Sequence, residues 1–184
     1  PFSIANVPQG GLPGGFAGNE IELHIGGAHY SEDTAAILHY LHEHQQVTVL
    51  PAAGQATLSP LPRASVLIAG GSGYSYCRSL LGCWLKLQQH PLHFFWGAQD
   101  ADYLYEQSWL ESLQATYSHF HFYTTNQHDA PDQTVLDLVV KHLQNLSSVN
   151  IYLAGPFAMS LAARKRFVEE YGANADNMFS DAYA

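Results

Sequence analysis

Apolar residues between positions 66 and 184 change their spacing at regular intervals, and this pattern predicts strands alternating with helices. Short apolar segments typical of buried strands occur at residues 66–69, 92–96 and 149–153. A further strand is predicted at 119–123, where phenylalanine and histidine alternate. Longer amphipathic stretches predict helices over residues 74–88, 100–115, 134–146 and 156–171. The 100–115 stretch can divide into two pieces. This order predicts a parallel sheet that is covered by helices on both faces.

Residues 1–62 contain shorter apolar segments that are separated by glycine and proline. Apolar and polar side chains alternate at residues 20–25, which predicts a half-buried strand. A helix over residues 31–44 and a short strand at 47–50 are also predicted. We expect one domain over residues 1–62 and a second over 63–184. Strand-like sequence begins at the first residue and the chain opens without Met, so we expect the N-terminal part of the first domain to be missing.

The charge balance narrows the range of functions. The chain has 7 Lys and Arg residues against 16 Asp and Glu residues, a formal net charge of −9. Nucleic acids and anionic membrane surfaces both require a basic protein surface, so neither is an expected partner. A dinucleotide remains compatible with this charge because helix N-termini and backbone amides supply local positive potential.

The sequence favours a cytoplasmic protein. No run approaches the ~18 apolar residues that span a membrane, and no signal peptide is evident. Cys77 and Cys83 are not spaced as CxxC, and they leave different faces of one predicted helix. We therefore expect two reduced thiols, as in proteins of a reducing compartment.

The strongest local signal lies where the first of the four buried strands ends, in the sequence VLIAGGSGYS between Val66 and Ser75. Glycines let the backbone turn sharply and approach a ligand closely. The free amides of the following helix would then face a pyrophosphate. Tyr76 stands at the third glycine position of the GxGxxG pattern, so a purely structural tight turn is the alternative.

Two further strand ends lie at the same predicted edge of the sheet. Residues 152–159, YLAGPFAM, form a second strand-to-helix junction, although an ordinary capped helix start has the same pattern. Residues 94–100, FFWGAQD, offer an aromatic ring that could stack on an adenine, with Asp100 and Asp102 as possible acceptors for ribose hydroxyls. The alternative is a core aromatic residue followed by a helix N-cap aspartate.

In combination, these segments resemble a known family. The set LIAGGSGYSY, FFWGAQDADYLYE, IYLAGPFAM and MFSDAYA is similar to the bacterial NAD(P)H-flavin reductases, including the luciferase-associated ones, of the ferredoxin-NADP reductase superfamily. The segments PFSIAN and EIELHIGG resemble the flavin-binding barrel of the same family. The resemblance implies an α/β fold. Its parallel-sheet NAD(P)H-binding domain would span residues 63–184, preceded by the C-terminal part of an antiparallel flavin-binding β-barrel over 1–62.

The resemblance implies roles for residues in each segment. Ser3 would be the catalytic residue, hydrogen-bonded to the isoalloxazine near N5. Trp96 and Gly97 would border the adenosine part of the nucleotide. His24, beside the predicted flavin strand, is a further candidate for a ligand contact. The other implied cofactor-binding residues are Pro1 and Phe2 in the flavin motif, Gly70, Gly71, Ser72 and Gly73 around the nucleotide, Ala154, Gly155 and Pro156 beside the nicotinamide, and Phe179, Asp181 and Tyr183 closing over the flavin.

The implied activity is that of an NAD(P)H:flavin oxidoreductase, in which a hydride passes from nicotinamide C4 to flavin N5. The implied cofactors are NADH or NADPH together with FMN, FAD or riboflavin. A flavin-dependent monooxygenase or luciferase is an implied downstream partner. One alternative is a reductase that passes electrons through bound flavin to an iron–sulfur or oxygenase partner. The other is a non-catalytic nucleotide-binding module.

Departures from the family pattern modify these expectations. The flavin motif has an arginine that would precede Pro1, and this chain does not contain it. A cysteine of the nicotinamide loop is replaced by Ala154, as expected in the flavin-reductase branch. Ala98 and the two residues after it stand where relatives carry a basic residue, which favours NADH over NADPH.

Histidines are frequent, and several of them crowd the predicted helix at residues 31–44. His39 and His42 are three residues apart and could share a metal ion. No neighbouring cysteine or HExxH pattern accompanies them, so we expect no metal site.

Overall fold

The computed structural model describes residues 2–7, 20–26, 32–49, 57–59, 63–87 and 90–183. Ten helices and strands are present in this part of the chain. They are, in chain order, α1 (Glu32–His44), β1 (Ser65–Gly70), α2 (Tyr74–Leu87), β2 (Leu92–Ala98), α3 (Gln107–Thr116), β3 (Phe120–Asn126), α4 (Val135–His142), β4 (Asn150–Pro156), α5 (Phe157–Tyr171) and β5 (Met178–Tyr183). Short 3₁₀ helices occupy Gly71–Gly73, Ala101–Tyr103 and Ala175–Asn177.

The five strands form one parallel sheet in the order β3-β2-β1-β4-β5. The central strand β1 is buried along its whole length, as expected of a parallel strand with helices on both faces. The chain leaves β1 toward β2 on one side and later returns to β4 on the other. The strand order therefore reverses between β1 and β4, which is where sheets of this type bind ligands.

Each face of the sheet carries its own apolar core. Helices α2 and α3 cover one face of the sheet, which we call the α2/α3 face. The largest buried side chains of its core include Tyr74, Phe94 and Trp96. Helices α4 and α5 cover the other, the α4/α5 face, where Phe95 and Phe167 are fully buried. Alternate residues of each strand feed the two cores, because side chains alternate across a strand.

The predicted alternation of strands and helices in residues 63–184 is confirmed, with one helix shorter than expected. The stretch at 134–146 was expected to be helical throughout, but α4 ends at His142. Thr134 and Asp137 form a capping box at its start. Leu143 then adopts extended backbone angles, φ −127 and ψ 93. Leu146 is still buried in the α4/α5 core, although it lies in the loop after α4. The apolar pattern therefore predicted the buried residue correctly but the length of the helix wrongly.

The fifth strand was not predicted as a strand. Residues 178–183 pair in parallel with β4 at the edge of the sheet. Their sequence MFSDAY mixes apolar and polar side chains and resembles neither a continuous apolar run nor a clean alternation. Pairing with β4 therefore decides the conformation of this segment.

Of the elements predicted in residues 1–62, only the helix is confirmed in the described residues. Helix α1 is confirmed, and it has no buried residue. The strand expected at 47–50 is wrong for the described residues 47–49, which are irregular. The half-buried strand expected at 20–25 is not formed: Ile21 is exposed, and a single antiparallel bridge joins Leu23 to Ile4. This pairing is antiparallel as expected, but the flavin-binding barrel is not confirmed.

Two further features concern the chain as a whole. Cys77 and Cys83 are not joined in a disulfide, and Cys77 is buried. None of the helices in the described residues is both long enough and apolar enough to cross a membrane.

Candidate functional site

The glycine turn after β1 lies at the reversal point of the sheet. Gly73 in this turn approaches β4 so closely that an added Cβ would lie 2.2 Å from the backbone oxygen of Ala154. Only a residue without a side chain fits there, because the obstructing atoms belong to backbone. The turn and the end of β4 are therefore packed directly against each other.

The end of β4 and its junction with α5 complete this part of the site. Gly155 has φ +153, a conformation that L side chains rarely adopt, and an added Cβ would lie 3.2 Å from the Cα of Gly70. Pro156 ends β4 and α5 begins at the next residue. The N-termini of α2 and α5 thus meet at one edge of the sheet, where their partial positive charges favour an anionic group. A backbone-lined cradle with two helix N-termini fits the pyrophosphate of a pyridine nucleotide.

The structure gives Trp96 a different place from the one expected. Its side chain is fully buried. The indole stacks on Tyr74 with ring centroids 3.9 Å apart, and its Nε1 donates to the backbone oxygen of Gly71 at 3.1 Å. A ring enclosed in this way presents no face to an adenine, so Trp96 supports the glycine turn from beneath. The alternative of a core aromatic residue is the one that the geometry favours.

The residues after Trp96 lie at the same edge. Gly97 pairs in register with Gly70 of β1. An added Cβ at Gly97 would lie 2.8 Å from the Cβ of Val135, at the start of α4. Asp100 accepts a hydrogen bond from the Asp102 backbone at 3.3 Å and so caps the short 3₁₀ helix that follows. The N-cap alternative for Asp100 is therefore observed.

Ser3 and Asp181 lie together although 178 positions separate them in the sequence. The Ser3 hydroxyl donates to Asp181 Oδ2 at 2.5 Å. Asp181 in turn is paired in register with Ala154 of β4, the first residue of the segment 154–156 that is predicted to lie beside the nicotinamide. The only predicted catalytic residue is thus held beside the predicted nicotinamide loop.

The remaining flavin-side candidates occupy varied environments. Phe2 is exposed. Phe179 stacks on Tyr152 with ring centroids 5.0 Å apart and packs against the α2/α3 core, so its ring serves the core of the protein. Tyr183 is the last residue of β5. The prediction for Pro1 lies outside the described residues.

His24 uses both ring nitrogens within the protein. Its Nδ1 lies 2.7 Å from the Tyr105 hydroxyl, and its Nε2 lies 3.0 Å from Glu22 Oε1. The ring also stacks beside Tyr74 at 5.9 Å. These contacts explain the position of His24 without a ligand, and they lend no support to a flavin contact.

A polar cluster on the α2/α3 face was missed at the sequence level. Its centre is Arg78, which contacts Glu22 at 2.8 Å and Glu106 at 2.6 Å. Burial lowers the pKa of Arg78, but the hydrogen bond and charge of Glu106, followed by the charge of Glu22, more than reverse this and raise it above its ordinary value. A basic residue in the middle of an apolar helix was the available signal, because such a charge requires partners.

Tyr74 belongs to the same cluster. Its hydroxyl donates to Glu106 Oε2 at 2.5 Å. Burial, reinforced by the charge of Glu106, raises the pKa of Tyr74 far above its ordinary value, so the hydroxyl keeps its proton and acts as a hydrogen-bond donor.

Among the described residues, one group of side chains has the composition of a metal site. Ligand atoms of Glu22, His24 and Glu106 lie within 4.8 Å of one another. The guanidinium of Arg78 already bonds both carboxylates, which balances their charge. The group is therefore an ion-pair network.

Comparison with known proteins supplies the family. Residues 67–165 match the family described as "Oxidoreductase NAD-binding domain". The chain is 33% identical over 197 residues to the NAD(P)H-flavin reductase of Aliivibrio fischeri, covering 100% of this chain and 80% of that protein. It is 32% identical over 198 residues to the probable flavin reductase of Photobacterium leiognathi, again covering 100% of this chain and 80% of that protein.

The fold is also found among solved structures. The ferredoxin reductase in carbazole 1,9a-dioxygenase aligns with a TM-score of 0.74 at 20% identity. This alignment covers 100% of the present chain and 55% of that chain, and at this identity it shows the shared fold alone. A parallel-sheet domain of ferredoxin-reductase type is therefore confirmed for this protein.

Proposed function

The chain belongs to the NAD(P)H-flavin reductases that carry an oxidoreductase NAD-binding domain, and from that premise we propose how its residues reduce a flavin. The substrates are NADH or NADPH and a flavin, which is FMN, FAD or riboflavin. When both are bound, the nicotinamide supplies a hydride from C4 to flavin N5. The protein has to bind both groups, orient them and keep water from the reacting atoms.

The contact between Ser3 and Asp181 carries this proposal. The flavin-side motif and the C-terminal strand are far apart in the sequence, yet their side chains are hydrogen-bonded beside Ala154 and the nicotinamide loop. A hydroxyl held at the junction of the two predicted cofactor-binding segments can hydrogen-bond the flavin close to the atom that receives the hydride. Ser3 is therefore the residue that we assign to the reaction.

Asp181 controls which way the Ser3 hydroxyl hydrogen points. In the structure this hydrogen is donated to Asp181, which leaves the Oγ lone pairs free to accept a hydrogen bond. Rotation of the same hydroxyl away from Asp181 makes it a donor. Ser3 can thus hydrogen-bond a ligand atom that is an acceptor in one state and a donor in another. Asp181 stabilises the arrangement in which Ser3 accepts a hydrogen bond from the ligand.

We assign the binding of the pyridine nucleotide to residues 63–184 and that of the flavin to residues 1–62 with the C-terminal strand. The glycine turn from Gly70 to Gly73 and the loop from Ala154 to Pro156 hold the nucleotide through backbone amides and the two helix N-termini. Trp96 acts on the nucleotide indirectly, because its indole fixes the Gly71 carbonyl.

A spectroscopic assay tests the proposed function. The purified protein is mixed with NADH and free FMN, FAD or riboflavin without oxygen, and flavin bleaching is followed. We expect NADH oxidation that depends on added flavin. NADH binding without transfer to any flavin would instead identify a non-catalytic nucleotide-binding module.

The same assay distinguishes a flavin reductase from a second candidate, a reductase that passes electrons to a partner protein. A reductase that feeds an iron–sulfur protein or an oxygenase keeps its flavin, so purified protein would be yellow and would bleach under NADH alone. A colourless protein that needs added flavin supplies reduced flavin to a separate enzyme, for which a flavin-dependent monooxygenase or luciferase in the cytoplasm is our proposed consumer. Cys77 and Cys83, which are not joined in a disulfide, are consistent with that compartment.

A further inference from the structure

We propose that Arg78 is a positioning residue that holds the flavin-side segments, residues 2–7 and 20–26, in register with the nucleotide-binding turn. This inference rests on the proposed flavin reductase activity. Arg78 lies in α2, one turn after the glycine turn, and the hydrogen bonds of its side chain go to Ala5, Glu22 and Glu106, outside the segments assigned to the nucleotide. Its effect on the reaction is therefore exerted through the side chains and backbone that it joins.

Arg78 bonds three groups that come from three separate parts of the chain. Its Nε donates to Glu106 Oε2 at 2.6 Å, and its Nη1 donates to Glu22 Oε2 at 2.8 Å and to the backbone oxygen of Ala5 at 3.0 Å. The guanidinium also lies over the Trp109 ring, 5.2 Å from its centroid. A planar fork with several donors can satisfy such a set, whereas the single point charge of a lysine cannot.

One branch of this network leads to the nucleotide. Glu106, held by Arg78, accepts the hydrogen bond of the Tyr74 hydroxyl. The Tyr74 ring stacks on Trp96, whose indole donates to the Gly71 carbonyl. Tyr74 and Trp96 are both fully buried, so this branch anchors the network to the glycine turn.

The other branch leads to the flavin side. Ala5 lies two residues after Ser3, and its backbone amide donates to the backbone carbonyl oxygen of Glu22 at 2.8 Å. Arg78 bonds the carbonyl of Ala5 and the carboxylate of Glu22, so it grips both segments at the point where they pair. The Arg78 guanidinium thus acts together with the Ser3–Asp181 hydrogen bond to set the position of Ser3 relative to the glycine turn.

Arg166 on the opposite face provides a matched control. It makes an ion pair with Asp137 at 2.6 Å, the same distance as the pair between Arg78 and Glu106. Asp137 lies at the start of α4, and neither partner contacts residues 2–7 or 20–26 in the described structure. Loss of this pair removes an arginine and a short ion pair without releasing the flavin-side segments.

The test compares Arg78→Gln, Arg78→Lys and Glu22→Gln with Arg166→Gln in the purified protein. The readouts are the dissociation constant for NADH, the rate constant of flavin bleaching in an anaerobic single turnover, and amide hydrogen exchange at Ala5. We expect Arg78→Gln to slow bleaching about 10- to 100-fold, because small displacements of reacting groups have effects of this size. NADH affinity should change by less than about 2-fold, a difference well below 1.4 kcal/mol. Exchange at Ala5 should become faster.

The conservative variants sharpen the assignment. Arg78→Lys should restore only part of the rate, and Glu22→Gln, which keeps the Glu106 pair, should slow bleaching in the same direction as Arg78→Gln. If Arg78→Gln does not fold, Glu22→Gln carries the test alone. Bleaching in the folded Arg78 or Glu22 variants as fast as in Arg166→Gln would overturn the positioning role.

Failure of the proposed function has a separate signature. If the unmodified protein reduces no flavin, the activity assignment falls, and the hydrogen-exchange comparison still tests the tether. Faster exchange at Ala5 in Arg78→Gln than in Arg166→Gln supports the tether, and equal exchange overturns it.

Discussion

The two faces of the sheet use charged side chains in different ways. On the α2/α3 face, Arg78 has 18% side-chain exposure and joins segments that lie 28 to 73 positions away in the sequence. On the α4/α5 face, Arg166 has 30% exposure and pairs with Asp137 and, at 4.0 Å, with Glu170 on its own helix. Arg78 joins both flavin-side segments to α2, whereas Arg166 joins α5 to α4, 29 positions away, and contacts neither of those segments through this pair.

This difference indicates where the protein requires fixed geometry. Burying ion pairs adds little to stability, because desolvation offsets the attraction between the charges. A buried network is better explained by the specific arrangement that it imposes. The α2/α3 face carries Tyr74 and Trp96 and meets the segment that contains Ser3, so the network coincides with the proposed reaction centre.

The largest expected effect comes from Ser3 itself. Ser3→Ala removes the hydroxyl at the proposed reaction centre, and hydride transfer should slow about 100-fold, as for the loss of one positioned donor at a reacting atom. NADH binding should hardly change, because Ser3 lies outside the glycine cradle. Stopped-flow bleaching and NADH titration measure the two quantities.

Ser180→Ala is the matched control for this change. Ser180 precedes Asp181 in β5 but faces the α4/α5 side, where its hydroxyl donates to Ser160. Equal rates in Ser3→Ala and the unmodified protein would remove Ser3 from the mechanism.

Two glycines provide the next contrast. In Gly73→Ala the new Cβ would meet the Ala154 backbone at 2.2 Å, so the turn or the nicotinamide loop has to move. We expect NADH affinity to fall at least about tenfold, equivalent to about 1.4 kcal/mol of binding free energy. Isothermal titration of NADH measures the loss.

Gly172→Ala on the α4/α5 side is the control. Gly172 ends α5 with φ +71, and the nearest atom to an added Cβ is 3.8 Å away. This variant should lose about 1 kcal/mol of stability through backbone strain alone. Its NADH affinity should stay normal, and a loss equal to that of Gly73→Ala would show that the cradle is not the nucleotide site.

The preference for NADH over NADPH should depend on the residues at the end of β2, Ala98 and those that follow it. Ala98 and the acidic Asp100 offer no positive charge for a 2′-phosphate, so we expect kcat/KM to be higher for NADH than for NADPH. Ala98→Arg should raise kcat/KM for NADPH about tenfold through a charge-assisted contact with that phosphate. Comparable kcat/KM values for both nucleotides in the unmodified protein would contradict the preference.

The smallest effect concerns acid stability on the α4/α5 side. Burial, together with the neighbouring His121 and His142, lowers the pKa of His93 from 6.5 to about 4. In this pH range His93 is protonated in the unfolded chain and neutral in the folded protein. The free energy of unfolding should therefore fall as the pH is lowered from 6.5 to about 4. Allowing for the partial exposure of His93, the loss should be about 1–2 kcal/mol.

Chemical denaturation across this pH range measures the effect. His93→Asn should flatten the acid-side decline, and substitution of the exposed His90 by Asn should leave it unchanged. The same slope in His93→Asn as in the unmodified protein would assign the decline to other groups. Hydride transfer at neutral pH should be normal in both variants, because both histidines lie near the amino end of β2 and the proposed site lies at the carboxyl ends of the strands.

The sequence predicted the sheet well because its strands are apolar runs at regular intervals. It also predicted that the loops around Gly71 and Gly155 meet, since the carboxyl ends of parallel strands share one edge. It missed β5, whose conformation depends on pairing with β4. It also assigned Trp96 to the ligand, because an aromatic residue at a strand end has the same pattern whether its ring faces the core or a cofactor.

The sequence by itself thus determined the order of strands and helices, the glycine turns and the family. Only the tertiary structure decided the partners of the polar side chains: Asp181 for Ser3, and Ala5, Glu22 and Glu106 for Arg78. The physical reason lies in the range of the interactions. Periodic burial and turn chemistry act over a few residues and are visible in a window of sequence. A hydrogen bond across 178 positions depends on how the whole sheet closes, and no local pattern encodes it.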